Sequence, residues 1–282
     1  MIPSVARYWH DVKYWPKYWR TRRFYDYKPQ AVTVGTIKIW LQQFEEKDQK
    51  TLIAFLDKVF YLSEKNVEKL LVDLNKSLLA RLNESQITPK NIIYVQIHEA
   101  GSSSPVILNM IRDRALLERK GCHFIDSKDV RALNELTNKL ENGAIIYVDD
   151  FVGTGNQFCE VRDFVVPYIV GNFSEFFLLP CICEEALYEL GKRGVEAVSG
   201  HIHSKSDRPL HPNSSVLPPT IKKRLIELCL KIDQKGGLGY RNLATMVVLY
   251  RNAPNSVPLI LRGSLKQNPW RGILPRTTDL PY

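Results

Sequence analysis

The chain contains no apolar run near the roughly 18 residues that a membrane-spanning helix requires, so no such helix and no membrane partner are expected. Its start, MIPSVARYWHD, lacks the apolar core of a signal peptide. Cysteine is sparse, with five residues: Cys122, Cys159, Cys181, Cys183 and Cys229. An odd set without an export signal fits reduced thiols and a cytoplasmic location. Internal repeats and long low-complexity tracts are absent, which excludes solenoids, propellers and compositional linkers. What remains is ordinary for a globular chain: 282 residues, 44% hydrophobic and 24% charged. That length suffices for one large domain or a domain with a cap.

Positive charge is in excess, at a formal +9, which favours acidic partners. Much of it lies in residues 7–28. Arg7, Lys13, Lys17, Arg20, Arg22, Arg23 and Lys28 face only Asp11 and Asp26, and aromatic rings from Tyr8 to Tyr27 are interleaved with them. Cations neutralise phosphates and flat rings stack on exposed bases, so this arm suits a single-stranded nucleic acid or a structured RNA–DNA molecule. The same rings are costly to expose. The arm therefore also suits docking on its own domain or on a sister subunit of a homo-oligomer, and the two roles are compatible.

The most specific stretch is AIIYVDDFVGTGNQ, residues 144–157. It reads as a buried strand, two acids at its end, a glycine turn and the start of a helix running from Phe158. Gly153 and Gly155 let the backbone turn tightly and leave N–H groups open to a ligand. The N–H groups of Thr154 to Gln157 would face an anion at the helix start, where the dipole adds positive charge. Asp149 and Asp150 suit the vicinal hydroxyls of a polyol, or Mg²⁺. Anion cradle and paired acids together indicate a sugar phosphate with a divalent cation.

This stretch resembles the phosphoribosyl-diphosphate signature of type I phosphoribosyltransferases. The resemblance implies that Asp149 and Asp150 hold the ribose hydroxyls, act as the catalytic pair and bind Mg²⁺, and that Val152, Gly153, Thr154, Gly155, Asn156 and Gln157 form the 5-phosphate loop. It implies phosphoribosyl diphosphate or a nucleotide as ligand. Two positions depart from the pattern: Gly153 stands where many purine-using members carry an aspartate base, and Gln157 where many carry Thr or Ser. Residues 40–79 and 239–261, with Asn252, Pro254, Asn255 and Pro258, are similar to the flanks of a divergent branch, the PRTase-CE family of bacterial conflict systems. The resemblance spans about residues 37–262. It implies an anti-phage effector of retron type, working beside a reverse transcriptase and its DNA–RNA hybrid.

Strand and helix patterns alternate from Asn91 onward, which predicts an α/β fold: a mostly parallel twisted sheet with helices on both faces. The expected division is a basic aromatic arm over 1–36, a helical cap over 37–88, the phosphoribosyltransferase-like domain over 89–265 and a tail over 266–282. A second ligand loop, for diphosphate, is expected at Gly101, Ser102 and Ser103, after the strand over 91–97. His98 and Glu99 stand just before it. Cys181 and Cys183 would share one strand face, which core packing explains best. His201 and His203 make a spacing that can also share one side of a strand, which alone is weak evidence for zinc. Residues 200–215 read as a long loop that, with KGGLGY at 235–240, is expected to recognise a base or partner. Three functions fit: a glycosyl-transferring or glycosidic-bond-cleaving enzyme, a catalytically inactive nucleotide sensor, and a nucleic-acid-binding subunit of a ribonucleoprotein.

Overall fold

The computed structural model describes residues 20–97, 103–263 and 270–279. Its elements run α1 (Val34–Leu41), α2 (Glu46–Leu56), β1 (Phe60–Leu62), α3 (Glu64–Glu84), β2 (Ile92–Gln96), α4 (Ser103–Arg114), β3 (His123–Asp126), α5 (Val130–Leu140) and β4 (Asn142–Val148). They continue with β5 (Phe151–Val152), α6 (Asn156–Val165), β6 (Asn172–Cys183), α7 (Glu184–Gly191), β7 (Glu196–His203), α8 (Pro219–Ile232), β8 (Val247–Leu249) and α9 (Leu259–Arg262). No helix among the described residues is long and apolar enough to cross a membrane. The chain forms two compact units, one of Met1–Glu64 with Lys205–Tyr282, the other of Lys65–Ser204.

Local rules account for many of these boundaries. Thr33 opens α1 with a capping box, its hydroxyl accepting from the Thr36 N–H while Thr36 accepts from the Thr33 N–H. Asp129 caps α5 by accepting from the Ala132 N–H at 3.0 Å. On α3 the buried seam is Val67, Leu71, Asn75, Leu78 and Leu82, the spacing of one helix face. Its polar member, Asn75, accepts the Tyr94 hydroxyl at 2.6 Å inside the core, satisfying a phenol that burial would otherwise strand.

The unit of Lys65–Ser204 holds a six-stranded sheet of parallel pairs, in the order β3-β2-β4-β6-β7, with the short β5 lying along β6 beyond the end of β4. On one face, Ile93, Val95, Ile145, Tyr147, Phe177 and Leu179 pack with Leu133 of α5, Phe158 and Val165 of α6, and Ala186 and Leu190 of α7. The other face carries Tyr94, tied to α3 through Asn75, and Phe124, whose ring lies 5.9 Å beneath the Arg112 guanidinium of α4. Helices thus cover both faces, as parallel sheets require.

The unit of Met1–Glu64 with Lys205–Tyr282 packs α1, α2, α8 and α9 around the parallel pair β1 and β8, whose register sets Phe60 against Val247. Trp40 is buried and donates from Nε1 to the Ile260 carbonyl at 2.8 Å. Arg224 of α8 forks onto both oxygens of buried Asp48 of α2, at 2.8 and 2.7 Å. That fork holds the Asp48 carboxyl below the usual range.

Candidate functional site

At the C-terminal edge of the sheet the ladder is interrupted where β4 meets the two acids. Val148 pairs with Leu178 and Phe151 with Cys181, so the register is the same on both sides of Asp149 and Asp150. Carried through, it sets Asp150 level with Pro180. On the far side of β6, Leu179 pairs with Ser199 and Cys181 with His201, so Pro180 is also level with Gly200. Proline has no N–H to donate and is uncommon in a central strand. The face alternation slips there in step: Phe177 and Leu179 are followed by Ile182 on one strand, Ile145 and Tyr147 by Val152 on the other. Pro180 thus explains why a buried strand opens at this point. The sequence reading missed it, although a proline inside FFLLPCIC was its visible signal.

Asp149 is 4% exposed and its Oδ1 accepts the Asp150 N–H at 2.9 Å. Its own N–H donates to the Leu178 carbonyl. Asp150 is half-buried. Val152 turns its side chain into the core, so only its backbone is available to a loop function. Gly153 and Thr154 are half-buried, and the Thr154 hydroxyl accepts the Asn156 N–H at 3.4 Å. Gly155 is the residue before α6, at φ +81° and ψ −10°, a left-handed conformation that favours glycine. Its carbonyl accepts the first helical bond, from Cys159, at 2.8 Å. Asn156 opens α6 half-buried and Gln157 is exposed.

The helix that carries this loop is anchored on its other side. Arg162 of α6 donates to both oxygens of Glu175 on β6, at 3.0 and 2.6 Å, and the Tyr147 hydroxyl of β4 donates to the same carboxylate at 2.9 Å. Arg193 then joins Asp163 of α6 at 3.0 Å.

One buried hydroxyl follows the expected diphosphate loop in the chain. Ser104 is fully buried in the first turn of α4; it accepts the Ile97 N–H at 3.0 Å and donates to the Val148 carbonyl at 2.6 Å. It therefore joins the end of β2 to the end of β4. Ser103 begins α4, while His98, Glu99, Gly101 and Ser102 lie outside the described residues. One strand over, Gln96 donates to Asp126 along the same edge.

Of the arm cations, Arg7, Lys13 and Lys17 lie outside the described residues. Arg20 pairs with Asp57 at 2.8 Å. Arg23 donates to the carbonyls of Leu56, Asp57 and Val59 at the end of α2, the favourable place for a cation at a helix C-terminus. Arg22 sits in the same short turn. The KGGLGY segment is tightly folded. Asp233 accepts the N–H groups of Lys235 and Gly236, at 2.8 and 2.9 Å, and Gly239 lies at φ +82° with the Ser256 carbonyl 2.3 Å from where a Cβ would stand. The Tyr240 N–H donates to the Asn255 carbonyl at 2.9 Å, so the Gly-Tyr and Asn-x-Pro-Asn motifs belong to one fold element. Residues 200–203, read as loop, complete β7. A cavity of about 230 Å³ beside Phe44, Asp48, Leu228 and Trp270 lies in the unit of Met1–Glu64 with Lys205–Tyr282 and uses none of the loop residues.

Comparison with known proteins finds partial likeness to a number of solved structures. Orotate phosphoribosyltransferase from Aeropyrum pernix is 16% identical, with 47% of this chain and 68% of that one covered at a TM-score of 0.31. An HGPRT-ase from Leishmania tarentolae, solved with GMP, is 16% identical over 44% and 70% at 0.32. The hypoxanthine-guanine phosphoribosyltransferase from Schistosoma mansoni, solved with IMP, is 10% identical over 51% and 68% at 0.33. No curated protein matches. The PRTase-CE family matches residues 37–276, nearly the whole described chain, and this chain belongs to that family.

Proposed function

We propose that the chain binds a ribose 5-phosphate group, as phosphoribosyl diphosphate or a nucleotide, and transfers or cleaves at ribose carbon 1. One observation carries this reading: Ser104 joins the strand end before the expected diphosphate loop to the strand end that bears Asp149 and Asp150. Two loops with complementary tasks thereby start from adjacent strands at the edge where open α/β sheets bind ligands. The loop N–H groups and the α6 dipole take the phosphate. The two carboxylates take the vicinal hydroxyls and favour positive charge developing at carbon 1. The bond from carbon 1 to the leaving group breaks with its electron pair departing, and a lone pair of the acceptor or of water makes the new bond. The acceptor's proton leaves with the departing group, because Gly153 offers no side chain to receive it. The donor set is hard oxygen, as Mg²⁺ takes; Asp149 and Asp150 would hold that ion, and when bound it neutralises diphosphate charge.

The family resemblance supports a place in a prokaryotic anti-phage system of retron type, with a reverse transcriptase and its DNA–RNA hybrid as partners; the aromatic arm, which suits docking on a sister subunit, supports a homo-oligomer. Gly153 favours a second reading, a nucleotide-binding sensor without turnover. Phosphorus NMR of the chain with phosphoribosyl diphosphate and Mg²⁺ separates the two. Release of diphosphate, stopped by Asp150→Asn, is the expected result. Bound but unchanged ligand would select the sensor, and no binding would end both.

A further inference from the structure

Residues 205–282 hold thirteen lysines and arginines against four aspartates and glutamates, so this stretch alone carries an excess equal to the +9 of the whole chain. Its fold raises one short turn to the surface. Tyr240, Arg241 and Asn242 are exposed, while every residue from Leu243 to Tyr250 is buried. The turn is left-handed, with φ of 50° at Arg241 and 56° at Asn242. Asparagine tolerates that conformation better than arginine does. Ala244 shares it, at φ 47°, with its methyl packed in the core; exposed Arg241 has no such packing. The turn is nevertheless fixed. The N–H groups of Tyr240, Asn242, Leu243 and Ala244 donate to the carbonyls of Asn255, Gly239, Tyr240 and Leu238, at 2.9, 3.0, 3.1 and 2.9 Å. On this base stands the Tyr240 ring, 45% exposed, with the Arg241 guanidinium 5.7 Å from its centroid. Lys235 and Asn255, in the segments that fold against the turn, are exposed as well.

We propose that Lys235, Tyr240, Arg241, Asn242 and Asn255 form a surface that binds single-stranded nucleic acid. The ring offers a face on which a base stacks whatever its identity. The two cations neutralise phosphates of the same strand. The amides of Asn242 and Asn255 can both donate to and accept from a base edge. The charge excess of the stretch selects a polyanion, and an exposed ring beside the cations suits a base better than it suits an acidic peptide. The strained turn has a task in this reading: a ring held in place beforehand gives up little freedom when a base stacks on it. The surface lies wholly within the unit of Met1–Glu64 with Lys205–Tyr282 and does not depend on the sugar-phosphate site.

The test is fluorescence anisotropy of the full chain with a labelled oligothymidylate, beside an abasic strand of the same length and charge. The native chain is expected to prefer the strand that carries bases. Tyr240→Ala should cut that preference about tenfold, the worth of one stacked base, and leave the salt dependence as it was. Lys235→Gln with Arg241→Gln should make the logarithmic salt dependence shallower by about 1.4, about 0.7 for each cation lost. All three positions are exposed, so the melting temperature of each variant should stay near the native one. Absence of binding at low salt, or equal affinity for the two strands, would overturn the proposal. Displacement by polyglutamate as readily as by unlabelled oligothymidylate would overturn it in favour of an acidic protein partner. A native preference kept by Tyr240→Ala, or a native salt dependence kept by the double variant, would assign the binding to another surface and overturn it as well.

Discussion

Gly155 is the residue on which the loop depends most. A Cβ there would meet Ala186 and Glu189 at 3.4 Å or more, ordinary contact, so space is not the obstacle. The obstacle is φ of +81°, where an L side chain costs about 1–2 kcal/mol. Gly155→Ala is therefore expected to lower the thermal midpoint by a few degrees and to weaken phosphoribosyl diphosphate by about tenfold, as the loop N–H groups turn away. Calorimetry and a melting curve check both. Asp48 makes a separate prediction about pH. Its fork with Arg224 depresses its folded pKa, so the stabilisation is complete above the ordinary carboxylate range and lost as pH falls through the folded value. Asp48→Asn should lower the midpoint at pH 7 and flatten the acid limb of the stability curve; equal curves for both proteins would refute this. At this scale the place of Asp149 and Asp150 at a strand end and of Gly155 at a helix start was legible, because local chemistry marks them. Pro180 was not, because its effect on Asp150 acts across a register that the chain order does not contain.

Among the elements, α4 and α6 follow the two expected ligand loops in the chain, and each helix is fixed by a few polar contacts. Ser104→Ala removes the link between the Ile97 N–H and the Val148 carbonyl in a fully buried place. Stranding these groups costs about 1–3 kcal/mol, and ligand affinity should fall with it. Ser104→Thr, which keeps the hydroxyl, should retain part of both. Arg162→Met leaves Glu175 half-enclosed without its fork, at a cost of about 2–3 kcal/mol after allowing for its partial exposure. Urea unfolding gives both values, and a loss below the error of extrapolation would discount the anchor. The long helices were readable from their periodicity. For α8, Leu225, Leu228, Cys229 and Ile232 keep helical spacing, and proline at its first helical turn is favourable. The strands β1 and β5, three and two residues long, carry too little pattern to be seen.

For the molecule as a whole, strand-helix alternation made the parallel sheet legible, since each crossover leaves its own local signature. The chain course of the two units did not, because Phe60 pairs with Val247 and such distant pairing has no local mark. The expected diphosphate loop and the expected ribose acids were also read separately, and it is Ser104 that joins the strand ends that precede them. The central claim is that these two places make one sugar-phosphate site. Its most direct test is calorimetric titration of the full chain with phosphoribosyl diphosphate and Mg²⁺, beside Asp149→Asn, Asp150→Asn. The account predicts one ligand per chain, with affinity on the order of micromolar, and a loss of at least a hundredfold in the variant at unchanged melting temperature. Absence of heat with the native chain, or equal affinity in the variant, would contradict it.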